Sequence, residues 1–195
     1  MVSKDIERVE KIQEELKTML SEKRYHHSIG TMKMAEELAR QYGIDTEEAG
    51  LAGLVHDMAK ELTEEESLKY MKENNIEIDE IEQKNAKLLH AKIGADMAKK
   101  RYGFPENMQK AILYHTTAYP EMDMLAKIIF IADKAEENRK YEEVETVRNL
   151  AKKDLDECML YILNFTIKAN IDKEKLVHPN SFLTRNQLLM NKNSN

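Results

Sequence analysis

The sequence predicts an all-α protein: a helical bundle with additional helices at both ends. Three observations carry that expectation. Apolar residues recur at helical spacing along nearly the whole chain, and no stretch alternates as a half-buried strand would. Breakers are few, with Gly 6 and Pro 3 in 195 residues. Those breakers, together with polar start signals, fall where the periodicity begins and ends. The length suits a single domain over residues 1–195 with a real core. The bundle core is expected at about 21–140, the C-terminal helices at about 143–178, and a partly disordered tail at 180–195.

Taken in order, a first amphipathic helix is expected from Ser3 to Leu20. A second runs from Glu22 to Tyr42 and stops at Gly43, a residue suited to the left-handed C′ position. Asp45 and Glu48 have the spacing of a capping box. They open a third helix, which carries the apolar stretch Leu51–Lys60, LAGLVHDMAK. Thr63 and Glu66 repeat that spacing before a helix to Asn74. Residues 75–84 are polar and acidic and read as a loop. A helix then spans Ala86–Tyr102 and closes at Gly103. Pro105 suits the first turn of the next, which ends at Thr116. After a break at 117–120, Met122–Glu136 is helical. Glu143–Val177 reads as one or two long helices stopped by Pro179, and the final NKNSN reads as disordered.

Composition removes several functions. Net charge is −6, from Lys+Arg 30 and Asp+Glu 36. No basic block marks a nucleic-acid partner. No apolar run approaches the ~18 residues of a membrane span, and the charged N-terminus is not a signal peptide. The single cysteine, Cys158, excludes an intrachain disulfide and Cys-rich zinc motifs. A reducing cytoplasm is the expected compartment.

The residues that need explaining are histidines and aspartates on apolar faces. His56 and Asp57 are adjacent inside LAGLVHDMAK, with Lys60 one turn on. A charge placed there needs compensation, and a cation is a common one. His27 shares a stripe with Met34 and Leu38, so it points inward. Its neighbour His26 points away, because successive helical residues lie about 100° apart. Asp133 sits one turn after Ile129 on a face with Leu125, Ile128 and Ala132. It needs a cation, an arginine or several donors. His90 precedes Ile93 and Gly94, where a glycine permits close helix packing. His115 follows Ala111 and Ile112. His178 reads as a surface residue. A hydrogen-bonded core histidine or a plain salt bridge explains any one of these positions. Four inward His and two inward Asp, without Cys, instead make a nitrogen/oxygen site for iron, manganese, zinc or cobalt.

His27, the pair His56–Asp57 and Asp133 resemble the H…HD…D signature of the HD-domain metal-dependent phosphohydrolases, an all-helical superfamily. RYHHSIG at 24–30, GLVHDMAK at 53–60, LLHAKIGA at 88–95, AILYHTTA at 111–118 and IADKAEENR at 131–139 are similar to the YqeK family. Those proteins are bacterial symmetrical diadenosine-tetraphosphate hydrolases. The likeness covers Arg24–Arg139. It departs at Ala118, where a Gly is usual, and at Glu137, where a Pro is usual. The resemblance implies that His27, His56, Asp57 and Asp133 ligate a metal, with iron the suggested ion. It implies that His90 and His115 either hold a second ion, bridged through Asp57, or contact substrate phosphates.

Phosphoanhydride hydrolysis needs a nucleophile at neutral pH, charge neutralisation and positioning. Asp57 and Lys60 are the expected catalytic residues. Arg24, Lys60, His90, His115, Thr116, Thr117 and Arg139 are the expected substrate contacts. Tyr25, Tyr102, Phe104 and Tyr119 are potential purine platforms, but core or rim positions suit them better. The expected reaction is symmetrical cleavage of diadenosine tetraphosphate, with ADP as product. Two rivals remain at this level. One is an HD-type enzyme for a deoxynucleotide or a guanosine signalling nucleotide. The other is a helical interaction module with a structural metal, which packs its charged helices on a partner or a second copy as a homodimer.

Overall fold

A computed structural model describes residues 2–193, with side chains from Glu7 onward. Among the described residues every regular element is helical. The order is α1 (Val2–Met19), α2 (Glu22–Tyr42), α3 (Thr46–Val55), α4 (Glu64–Glu73), α5 (Glu80–Lys84), a 3₁₀ turn (Ala86–Leu88), α6 (Leu89–Tyr102), α7 (Glu106–Tyr114), α8 (Met124–Ala135), α9 (Val144–Ala151), α10 (Leu155–Ile171) and α11 (Pro179–Asn193).

Most boundaries follow from caps legible in the sequence. Gly43 and Gly103 both adopt the left-handed conformation at their helix ends, with φ of 71° and 65°. Asp45 accepts from the Glu48 amide at 2.9 Å. Thr63 and Glu66 complete a reciprocal capping box.

Five expectations need correction. The segment 75–84 is not all loop, since Asp79 and Glu82 form a second reciprocal box that opens α5. The third helix ends at Val55 rather than running to Lys60. Beyond it, Met58 N bonds Val55 O and Lys60 N bonds Asp57 O, both at 2.9 Å, in tight three-residue turns. The helix expected to reach Thr116 ends at Tyr114, with His115 as its C-cap. Pro179 does not merely stop a helix; it begins α11, since the missing N–H of proline costs nothing in a first turn. That helix continues to Asn193, so most of the tail read as disordered is ordered; Ser194 and Asn195 lie outside the described residues. Thr184 and Leu188 anchor it by burial, and it packs on α10.

Two helices are buried on nearly every side. All residues of α3 from Ala49 to Val55 are buried. In α8, Leu125, Ala126, Ile128–Asp133 and Ala135 are buried. A helix apolar all round belongs at the centre of a bundle. Accordingly α8 packs on α2, α3, α7, α9 and α10, and α3 packs on α2, α7 and α8. Arg148 of α9 fixes the end of α8, donating from Nε to Ala135 O at 2.8 Å and from Nη2 to Glu136 O at 2.7 Å. A cation at orphan C-terminal carbonyls is favourable.

Candidate metal centre

Three helix C-termini and two other segments deliver side chains to one point. His27 projects from the buried face of α2, three residues after Arg24. His56 caps α3, and Asp57 follows in the tight turn. His90 lies in the first turn of α6, His115 caps α7, and Asp133 sits in the last turn of α8. Helix C-termini carry partial negative charge, so α3, α7 and α8 together favour a cation where they meet. All six residues are buried, none more than 8% exposed.

The donor atoms form overlapping triads, His27–His56–Asp57, His56–His115–Asp133 and Asp57–His90–His115, each within 4.8 Å. Asp57 divides between two groups. Its Oδ2 lies 3.7 Å from His27 Nε2 and 3.6 Å from His56 Nε2. Its Oδ1 lies 3.1 Å from His90 Nε2 and 3.4 Å from His115 Nε2. Asp133 Oδ1 completes the first group, 3.0 Å from His27 Nε2 and 3.6 Å from His56 Nε2.

The imidazoles are oriented for cation binding. His56, His90 and His115 each place Nδ1 at 2.6–2.7 Å from a backbone carbonyl, those of Gly53, Lys87 and Ile112. His27 Nδ1 faces Glu136 Oε1 at 3.0 Å. A carbonyl or a carboxylate only accepts, so Nδ1 carries the hydrogen in each ring. In the neutral ring Nε2 then presents a lone pair. Two such pairs of Nε2 atoms face each other at 3.2 Å, His27 with His56 and His90 with His115. Two carboxylates lie among them, and the buried Asp57 Oδ1 receives no hydrogen bond. Lone pairs and anions gathered in a dry pocket repel unless a proton or metal ion lies between them. The donor set fits a divalent transition metal with imidazole and carboxylate ligands, and its outer hydrogen bonds fix the ring tautomers.

The ionisation states agree. Burial pushes His115 down to about 4 and lowers His90, so both keep free lone pairs at neutral pH. Burial opposes charge on Asp133, but the Lys134 ammonium and His27 hold it well below the usual carboxylate range. His27 moves the other way: burial lowers it, but Asp133 and Glu136 outweigh burial and raise it. A metal ion there would compete with a proton for His27 Nε2.

Four cations ring the centre. Arg24 Nη1 is 2.7 Å from Asp57 Oδ2. Arg139 pairs with Asp133 and also donates to Asp133 O. Lys60 Nζ is 3.1 Å from His90 Nε2 and 3.9 Å from Asp57 Oδ1. Lys134 Nζ is 2.9 Å from Asp133 Oδ2.

The structure thus brings together all six expected ligands, with Arg24, Lys60 and Arg139 beside them. Thr116 and Thr117 line a neighbouring cavity, and the Thr117 hydroxyl donates to Ala118 O at 3.0 Å. Ala118 is left-handed, with φ of 57°, at the position where the resemblance has a glycine. The loop keeps its shape and an alanine bears the strain. His26 is exposed as expected. His178 is not free on the surface; it is partly covered and bonds Asp79 at 3.0 Å. Phe104 is core, and Tyr25, Tyr102 and Tyr119 line neither of the two cavities beside the centre.

Sequence reasoning missed Glu136 and Lys134. Glu136 lies on the same face as Ile129 and is 1% exposed, so an acid on an apolar stripe was the available signal. Lys134 carried none, because a lysine next to a buried aspartate has the look of any solvated lysine. Glu136→Ala is expected to lower metal affinity about 10–100-fold by freeing the His27 ring, with Glu136→Gln losing less. Metal content after dialysis against a graded chelator series measures this. Undiminished retention in the alanine variant would show that Glu136 does not orient His27.

The chain matches the family model for the HD domain over residues 24–138. A symmetrical bis(5'-nucleosyl)-tetraphosphatase from Halalkalibacterium halodurans is 38% identical over 176 residues, covering 90% of this chain and 94% of that protein. The protein of that name from Bacillus subtilis is 35% identical, covering 89% and 94%. A crystal structure from Clostridium acetobutylicum, described as a predicted HD superfamily hydrolase involved in NAD metabolism, superposes with a TM-score of 0.91 at 40% identity, covering 94% of this chain and 97% of that one.

Proposed function

Because the chain belongs to the HD-domain family, and within it to the family of symmetrical bis(5'-nucleosyl)-tetraphosphatases, we propose that it hydrolyses diadenosine tetraphosphate to two molecules of ADP. The observation that carries the reading is Asp57, whose two oxygens face two separate histidine pairs beneath a ring of cations. In the balanced reaction, water adds its oxygen to one of the two central phosphorus atoms. The bridging oxygen leaves with the other half, and one proton is released or transferred.

His27, His56, Asp57 and Asp133 would hold one divalent ion. Asp57, His90 and His115 would hold a second. Iron is the ion we favour, with manganese, cobalt or zinc as alternatives that the same donors accommodate. A bound ion supplies Lewis acidity and an activated water near neutral pH. The chain's own residues do the rest. Arg24 and Arg139 offer planar guanidiniums to non-bridging phosphate oxygens. Lys60 sits between Asp57 and His90, where burial draws its pKa down against the pull of Asp57 and Asp133. That makes its proton easier to give to the leaving phosphate oxygen. Glu136 holds the His27 ring.

No helix among the described residues is long and apolar enough to cross a membrane. We place the enzyme in the cytoplasm, where the nucleotide substrate is made, and a homodimer is the assembly to test for by light scattering. The decisive assay incubates the pure protein with each divalent metal and diadenosine tetraphosphate, then separates the nucleotides. ADP alone is expected. AMP with ATP would overturn symmetrical cleavage. Turnover only of a deoxynucleotide or guanosine nucleotide would favour the rival enzymes, and no turnover with any metal would favour a structural site.

A further inference from the structure

Two cavities flank the centre. The first, of about 490 Å³, lies between α8, α10, the segment 172–178 and the 3₁₀ turn. The second, of about 620 Å³, lies between α2, the turns after α3, α4 and the start of α6. Both volumes fall in the roughly 300–1,000 Å³ range of small-molecule sites. They share one wall, made of Lys84, Asn85 and Lys87.

Each cavity reaches the centre by a different route. The first does so through Lys134, whose ammonium lies 2.9 Å from Asp133 Oδ2 and donates to His115 O at 2.9 Å. The second does so through His90 itself and through Arg24 and Lys60, which flank Asp57. The centre therefore lies between them.

The chemistry of the first cavity suits a polyanion that ends in a flat apolar group, and the second sets Arg24, Lys60, Lys84, Lys87 and His90 beside Glu61 and Glu64, with Leu62 and Ala86 in its lining. The first cavity is lined by Lys84, Lys87, Lys134 and Lys175 and by no carboxylate, in a chain whose net charge is −6. Among the described residues none of Lys84, Lys87 and Lys175 has an ion-pair partner. Beyond those lysines the floor is apolar, from Phe130, Leu163 and Ile167, with the Asn170 amide at its edge. An apolar slot with a few polar groups is what a nucleobase needs.

Resting on the reaction proposed above, we infer that the substrate lies across the centre with one nucleoside in each cavity and its phosphates along Lys84, Lys87 and Lys134. This two-ended cradle delivers the middle anhydride to the centre, because the centre lies between the cavities that hold the two ends. The cleavage symmetry then comes from the cavities as much as from the centre. Helix α10 becomes a specificity element for the second nucleoside, although its sequence carries no motif.

The test compares diadenosine tetraphosphate with adenosine 5'-tetraphosphate, which has the same phosphate chain and one nucleoside. Asn170→Trp narrows the first cavity from a partly exposed position. Its KM for the dinucleotide is expected to rise about tenfold or more, the order of one lost base contact. For the mononucleotide, read as KM or as an inhibition constant, the change should stay within about twofold, since its one base can use the second cavity. A Lys84→Ala/Lys87→Ala double variant should weaken both ligands together. Equal losses on the two ligands in Asn170→Trp, or no loss on either, would overturn the cradle. A wild-type protein that releases no ADP overturns the reaction instead, and the ratio of the two ligands' binding affinities in Asn170→Trp still judges the cavities.

Discussion

Asp57→Asn is expected to lower turnover on diadenosine tetraphosphate by roughly three orders of magnitude or more, about 4 kcal/mol of transition-state stabilisation. The size follows from its position. Asp57 turns a different oxygen toward each histidine pair, at 3.6–3.7 Å on one side and 3.1–3.4 Å on the other. An amide keeps the volume but removes the charge, and its NH₂ group would point a donor hydrogen at one of the pairs. Both halves of the centre are then weakened by a single substitution. Asp133 Oδ1 lies nearest His27 and His56, with His115 also within 4.8 Å, so Asp133→Asn should weaken the first ion more than the second. The measurements are turnover, metal per chain and far-ultraviolet circular dichroism for each variant. A folded Asp57→Asn protein that keeps more than a tenth of wild-type turnover would show that the two histidine pairs do not share this carboxylate.

Gly53→Ala and Gly94→Ala should change stability in opposite directions. A Cβ at Gly53 would lie 3.0 Å from Thr31 O and 3.2 Å from Met32 Cα. Those are backbone atoms of α2, so α3 itself must move. Such overpacking costs typically 1–3 kcal/mol, and the better helix propensity of alanine returns up to about 1 kcal/mol of it. The shift also displaces Gly53 O, which holds His56 Nδ1 at 2.7 Å, so metal retention and turnover should fall with stability. At Gly94 the nearest atom to a new Cβ is Ile112 Cγ2 at 3.5 Å, an ordinary contact. Alanine there should raise stability by about 0.5–1 kcal/mol, or about 1–4 °C in Tm for a chain of this size. The sequence suggested that Gly94 permits close packing beside His90; the structure sets it against Ile112 and His56 O with room for a Cβ, whereas the contact of α3 on α2 at Gly53 leaves none. Equal thermal midpoints for the two variants would contradict the difference in packing.

The parts of this protein that were legible in its sequence are those set by local chemistry. The Thr63–Glu66 box, the left-handed glycines at 43 and 103 and the apolar faces of α2 and α8 all depend on neighbours a few residues away. Local spacing also separated inward His27 from outward His26. Local rules failed where a helix end was decided elsewhere. The final turn of α3 tightens after Val55 because His56 and Asp57 are held by groups from α2, α6 and α7. Residues 179–193 form a helix because Thr184 and Leu188 find a place against α10.

The sequence by itself determined the all-helical class, the inward direction of four histidines and two aspartates, and a likeness to a metal-dependent hydrolase family. Only the tertiary structure decided that Asp57 stands between two histidine pairs, that Glu136 orients His27 across 109 positions of chain, and that Lys84 and Lys87 form the wall between two cavities. The physical reason is range. Helical period and capping act over a few residues, whereas a shared carboxylate or a cavity wall exists only once distant segments have been brought together by burial of α3 and α8.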